Sequence, residues 1–455
     1  GGAGGGLCGG SGGAPADWSP ARAVKPARPT PGSLLIRGAR VLDPANGFDG
    51  LAHVGIRDGR IDFCGQTPPG DGYDETIDAR GLWLMPGLVD LCARFREPGQ
   101  THKASFASEV PAAQSGGITT VLLPPDCQPV VDSPAMLLRV QRIARQAGGL
   151  DVRVLGALTK GLGGEALAEL SALKSAGAAG ASQALQPIRD SLVARRALEY
   201  AHGLGVTVHV FAQNAALAAG GCAHEGAVAT RLGLPAIPVA AEVSGLRFWI
   251  SLIEDTGARA HFCRLSTARG AKLVASAQQR GLPVTADVAA HQLFLTDADV
   301  DGFNAQCHVV PPLRSAADRD ALRAAVADGT ISAICSDHQP HEADAKINPF
   351  PLTEPGISAL ETLLPLTLEL VHGGLLSPLA AAARLSLGPA RIASLEAGRL
   401  EVGAAADLVL VDPDAAWTLR AEQMLSAGHN TPFAGRALRG RAIRTVHRGR
   451  QVYTL

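Results

Sequence analysis

Ile118-Thr119-Thr120-Val121-Leu122-Leu123 is a short β-rich apolar run, and beyond Pro124-Pro125 it gives way to the helical pattern of Ser133 to Ala147. A strand followed by a helix of this kind reads as a parallel βα unit. The alternation recurs along the chain. Further candidate strands sit near Gly87 to Leu91, Val152 to Leu158, Gly177 to Ser182, Val206 to Ala212, Ala260 to Leu265, Pro283 to Val288 and Ile331 to Ser336. Helical patterns between them include Glu165 to Ala176, Ser191 to His202, Glu242 to Thr256 and Asp318 to Asp328. Eight such units over about 300 residues suit a closed (β/α)8 barrel of the TIM type, whose usual size is roughly 250 residues plus insertions.

Outside this region the pattern changes. Leu34 to Leu42 and Ala52 to Ile61 read as strands around Asn-Gly and Asp-Gly turns, and Asp407 to Asp412 and Ala442 to Val452 read as strands near the other end, with a turn at Arg448-Gly449-Arg450. Both ends are therefore expected to build one small β-sandwich domain. The division expected is a flexible Gly/Pro-rich leader over 1–32, the small domain over 33–84 and 396–455, and the barrel over 85–395. The glycine-rich start, Gly1 to Gly13, lacks the basic and apolar segments of a signal peptide.

The 455 residues are 46% hydrophobic and 18% charged, enough for one large core and a smaller one. Lysine and arginine total 41 against 42 acidic residues, so the net charge of −1 carries no footprint for nucleic acid or anionic membrane. Eight cysteines, with no C-x-x-C pair, fit a reduced cytoplasmic protein. No apolar stretch is long enough to span a bilayer.

In a (β/α)8 barrel the chemistry lies at the C-terminal ends of the strands. The polar residues expected there are Arg94, Arg96 and Glu97 after the first strand, Asp126 after the second, Gln183 after the fourth and His209 on the fifth. Arg264 follows on the sixth, Asp287 and His291 on the seventh, and Asp337, His338 and His341 after the eighth. Metal donors are few in this ring. Arg94 offers no lone pair, stays protonated and repels a divalent cation.

A series of motifs in order, Met85-Pro86-Gly87-Leu88-Val89-Asp90, Phe95-Arg96-Glu97-Pro98-Gly99, Gly116-Gly117-Ile118-Thr119-Thr120-Val121, Pro311-Pro312-Leu313-Arg314, Ser336-Asp337-His338-Gln339-Pro340-His341 and Asn430-Thr431-Pro432-Phe433, resembles the dihydroorotases of the cyclic amidohydrolase superfamily. The resemblance covers about 420 residues from Ser33 onward, and the family fold supports the barrel reading. It implies a zinc site with two histidines after strand one, a carboxylate or carboxylated lysine on strand four, histidines on strands five and six and an aspartate on strand eight. At the matching positions stand Cys92 and Arg94, then Gln183 and Ala184, then His209, Arg264 and Asp337. Only His209 and Asp337 are retained. Arg96 keeps the place of the family's carboxylate-binding arginine, but Pro125 and Val310 replace the two asparagines that contact substrate.

Zinc lowers the pKa of bound water from about 15.7 to about 7, and a lone carboxylate cannot substitute for that. The resemblance thus implies a noncatalytic dihydroorotase homologue of de novo pyrimidine biosynthesis, without cofactor, retained as an assembly subunit of aspartate transcarbamoylase in a hetero-oligomer. On this reading Asp337 and Arg96 are vestiges, His209 an interior histidine, His338 and His341 loop structure, and Cys92 a small buried hydrophobe. Arg94 and Arg264 make salt bridges, Asp337 being one partner. One alternative is an active zinc-dependent cyclic amide hydrolase whose metal is held by Cys92, His209, Asp337 and His338. A second is a regulatory subunit that binds an anion or nucleotide on Arg94, Arg96 and Arg264.

Overall fold

The computed structural model describes residues 32–70 and 72–455. The expected leader lies outside the described residues except for Gly32. The eight barrel strands are Leu88–Asp90, Ile118–Leu123, Asp151–Val154 continued by Gly156–Ala157, Ala181–Ser182, Val208–Val210, Ala260–Phe262, Val284–Ala289 and Ala333–Cys335. All are parallel to their neighbours. The ring closes between the first and last strands, where Arg94 N–H donates to the His338 carbonyl at 2.9 Å and His338 N–H to the Cys92 carbonyl at 3.2 Å. All six residues of Ile118–Leu123 are buried, as a strand with helices outside and side chains inside requires.

Local chemistry sets the helix limits. Ser133 and Pro134 open the helix Pro134–Ala147 in the positions their geometry favours. Asp190 caps Ser191–Leu204 by accepting from Leu192 N–H at 2.8 Å, and Gly205 ends it in the left-handed region at φ +65°. The pattern from Glu165 to Ala176 yields a helix only over Leu170–Ser175. Its first part is instead tied as extended chain, through Lys160 N–H to the Ala166 carbonyl and Ala168 N–H to the Leu158 carbonyl.

Both ends of the chain meet in one small sheet domain, as expected. Its eight strands, Ser33–Asp43, Phe48–Arg57, Arg60–Gly65, Glu75–Asp78, Trp83–Pro86, Leu408–Thr418, Ala437–His447 and Arg450–Thr454, form a single hydrogen-bonded sheet. It has its own core of Ile36, Val41, Val54, Ile61, Leu84 and Leu408, separate from the barrel's. No helix among the described residues is long and apolar enough to cross a membrane.

Candidate functional site at the barrel mouth

The residues after the strand ends are brought together as the barrel dictates, and they are buried. Cys92, Arg94, Gln183, His209, Arg264, Asp287, His291 and Asp337 are each at most 7% exposed. Four of these ends hold a non-glycine residue in the left-handed region: Arg96 at φ +61°, Ala184 at +51°, Arg264 at +55° and Asp337 at +47°. Such backbone strain clusters where a fold must aim side chains at a common point.

That point is occupied by guanidinium groups. Arg94 donates to Asp126 Oδ2 through Nε and Nη2 at 3.0 and 2.8 Å, and its Nη1 lies 3.7 Å from Asp337 Oδ1. Arg264 approaches Asp337 from the other side, with Nε 3.5 Å from the same oxygen, while its Nη1 donates to Cys92 Sγ at 2.9 Å. Its guanidinium also lies over the Phe211 ring at 5.2 Å. Asp337 is therefore flanked by two cations, with Cys92 Sγ 3.4 Å and Gln339 Nε2 3.3 Å away. Burial works against the charge on Arg94, but Asp126 above all holds its pKa above the usual arginine value. Asp126 itself is held below the ordinary aspartate range, the cost of burial being outweighed by Arg94.

The sixth-strand loop that carries Arg264 is fixed from below. Glu242, buried on the helix Val239–Thr256, accepts from Ser266 N–H and Oγ–H at 2.8 and 2.6 Å and from Thr267 N–H and Oγ1–H at 3.0 and 2.6 Å. Asp287 adds an acceptor to Arg264 N–H at 2.5 Å. Arg314, of the Pro-Pro-Leu-Arg motif, braces the same loop through Ser266 Oγ at 3.1 Å.

The remaining candidates are held by structural partners. Gln183 accepts from Thr159 Oγ1–H and donates to the Leu162 carbonyl, both at 2.9 Å. His338 faces away from the mouth: its Nδ1 accepts from Ala359 N–H at 3.0 Å and its Nε2 meets Glu109 Oε2 at 2.8 Å. It therefore does not join Cys92, His209 and Asp337 as a ligand group. Arg96 donates to the Pro340 carbonyl at 3.1 Å and lies 3.1 Å from His341 Nε2, whose ring also meets Lys103 Nζ at 3.1 Å. Of the three arginines named as an anion ring, Arg94 and Arg264 thus share Asp337 and Arg96 is engaged apart from them, and the cavity beside Arg94 and Arg96 holds only about 30 Å³. Sites for small molecules usually measure about 300–1,000 Å³.

Two inward residues on the sixth strand were not among the sequence candidates. His261 and Cys263 place their donor atoms with that of His209 within 4.8 Å of one another. The alternation on Ala260-His261-Phe262-Cys263, with histidine and cysteine two apart on one face, is the signal that marks them. His209 Nε2 is buried without a hydrogen-bond partner, and burial pushes its pKa down to about 3. Both nitrogens of His261, however, are engaged, by Thr285 Oγ1 and Asp287 Oδ2 at 2.9 Å each. Burial, reinforced by Asp287, lifts the Cys263 thiol well above its ordinary value.

These residues do not fit the zinc that the resemblance implies. Structural and catalytic zinc sites need three or four deprotonated N, S or O donors converging on one point. The free imidazole nitrogens here are those of His209 and His291, the Cys92 thiol is taken up by Arg264 and Asp337, and two guanidiniums stand beside the retained aspartate.

The amidohydrolase family pattern matches residues 83–452. A dihydroorotase-like protein of Pseudomonas aeruginosa is 49% identical over 414 residues, spanning 91% of this chain and 98% of that protein. A dihydroorotase of a Geobacter species is 41% identical over 421 residues, or 92% and 99% of the two chains. Among solved structures, the L-hydantoinase of Arthrobacter aurescens superposes with a TM-score of 0.85 at 24% identity, covering 92% of this chain and 96% of its own, a likeness of fold. The chain is a dihydroorotase-like member of the amidohydrolase family.

Proposed function

We propose that this protein is a noncatalytic member of its family, a dihydroorotase-like subunit of pyrimidine biosynthesis that works without zinc as a structural partner of the aspartate transcarbamoylase catalytic chain. One observation carries the noncatalytic part. Arg94 and Arg264 flank Asp337 Oδ1 at 3.7 and 3.5 Å, where the family would have metal against that aspartate. Hydrolysis of a cyclic amide needs an activated water and a polarised carbonyl, and cations without lone pairs cannot hold the metal that supplies both.

Support for the assembly part is of a different kind. The P. aeruginosa relative is called dihydroorotase-like rather than dihydroorotase. The barrel is closed, and its strand-end loops are braced by buried partners such as Glu242, which supports a role that needs the shape of the scaffold. A preserved scaffold with a dismantled mouth suits a protein that acts through its outer surface.

Size-exclusion chromatography of the full chain mixed with the aspartate transcarbamoylase catalytic chain tests this role. Co-elution is expected, together with higher transcarbamoylase activity or heat resistance than the catalytic chain has alone. Separate elution with unchanged activity would remove the assembly role. Location in the cytoplasm follows as part of the same proposal.

A further inference from the structure

Two glycine turns of the small domain touch at the end of the barrel opposite the mouth. Asp58-Gly59-Arg60 joins the strands Phe48–Arg57 and Arg60–Gly65, and Arg448-Gly449-Arg450 joins Ala437–His447 and Arg450–Thr454. Gly59 and Gly449 have φ of +76° and +74°. A Cβ on Gly449 would stand 2.6 Å from Gly59 Cα, and one on Gly59 would stand 2.9 Å from the Arg448 carbonyl oxygen. Glycine at both positions lets the two backbones meet, which no side chain would permit.

The meeting has a consequence for charge. Each turn places an arginine directly after its glycine, and the second also places one directly before it. Arg60, Arg448 and Arg450, with His447, line a concavity of about 670 Å³, which Gly149 borders from the loop before the third barrel strand. That volume lies within the range of small-molecule sites. Arg60 donates to the Gly403 carbonyl at 2.7 Å through Nη1, while the guanidiniums of Arg448 and Arg450 make no hydrogen bond or close ion pair among the described residues, Arg448 acting on Asp407 only through its charge. Of the nearby carboxylates, Asp407 is taken up by His447 Nδ1 at 3.1 Å and by Arg448 N–H at 2.6 Å, which leaves Asp58 as the one acidic group in the lining.

We propose that this concavity binds a pyrophosphate-bearing small molecule. Guanidinium groups pair with phosphate oxygens through parallel N–H donors, and three of them lining a hollow much larger than one phosphate are matched in charge and span by two linked phosphates better than by one. The site shares no lining residue with the cavity at the barrel mouth, and its test uses the chain alone, so its outcome does not follow that of the assembly role.

Isothermal titration of the full chain with inorganic pyrophosphate, orthophosphate and a nucleoside triphosphate, at constant ionic strength, tests the assignment. Pyrophosphate and the triphosphate are expected to bind, and orthophosphate at least tenfold more weakly. Tighter binding of the triphosphate than of pyrophosphate would identify a nucleotide as the source of the group; equal binding would identify the free anion. The Arg448→Ala/Arg450→Ala variant, both side chains being exposed, should melt as the parent does without ligand and lose about tenfold or more in affinity for each guanidinium removed. No heat with pyrophosphate at millimolar concentration, orthophosphate binding as tightly, or an undiminished affinity in the double variant would each overturn the proposal.

Discussion

Asp337 is the counter-ion of two buried arginines, Arg94 and Arg264. Removing one member of such a group leaves uncompensated charge, which typically costs 3–5 kcal/mol. Asp337→Ala should therefore destabilise the protein by about 3 kcal/mol, read as a lower urea midpoint; an unchanged midpoint would mean that Asp337 does not balance Arg94 and Arg264. Cys92 belongs to the same group. Burial pushes its thiol up to about 12, so it should resist alkylation at pH 8 in the native protein and react only after unfolding, as peptide mapping would reveal. Most of these residues were legible from sequence, because each lies at or just beyond the end of a predicted strand. Their partners were not. Asp126 as the main partner of Arg94, and the Cys92 thiol as acceptor from Arg264, depend on side-chain direction across the barrel, which spacing along one strand does not contain.

Elements were readable by type and less so by extent. Val152 to Leu158 looks like one strand, but the pairing breaks at Leu155. Asp151–Val154 pairs with the second strand, Leu155 N–H donates to the Leu123 carbonyl, and Gly156–Ala157 pairs with the fourth strand. The chain changes partner there, and no local propensity marks such a change. The motif His-Gln-Pro-His follows the eighth strand, but His338 turns outward to Glu109 on the helix Phe106–Ser115, which spacing alone could not fix. The brace from Glu242 to Ser266 and Thr267 was likewise invisible, since it spans 24 and 25 residues. Glu242→Ala strips four hydrogen bonds from a buried loop and should cost about 3 kcal/mol or more, with faster hydrogen exchange over 264–270. Glu254→Ala, which on the exposed face of the same helix removes only a surface ion pair with Arg280 at 2.7 Å, should cost no more than about 1 kcal/mol and serves as its control.

For the whole molecule, closing the mouth around polar groups predicts an acid sensitivity. His291 and His308 are pushed down to about 4, chiefly by burial. Below about pH 6.5 the unfolded chain takes up protons at these positions that the native state refuses, so stability falls as pH falls and the loss ends only near pH 4. Each histidine should remove roughly 2 kcal/mol between pH 7 and pH 5. Urea midpoints across that range check this, and His291→Gln should flatten the slope. The barrel and the terminal sheet domain could be read from periodicity together with the family's motifs, because both are repeated over hundreds of residues. That the mouth is filled rather than merely short of ligands could not, since it rests on how Arg94, Arg264 and Asp337 pack in three dimensions. Metal analysis of the purified full chain after incubation with excess zinc, combined with a dihydroorotate hydrolysis assay on the same sample, measures this directly. Zinc far below one ion per chain and no turnover above the uncatalysed rate are predicted; zinc near stoichiometric amounts together with turnover would contradict a noncatalytic barrel.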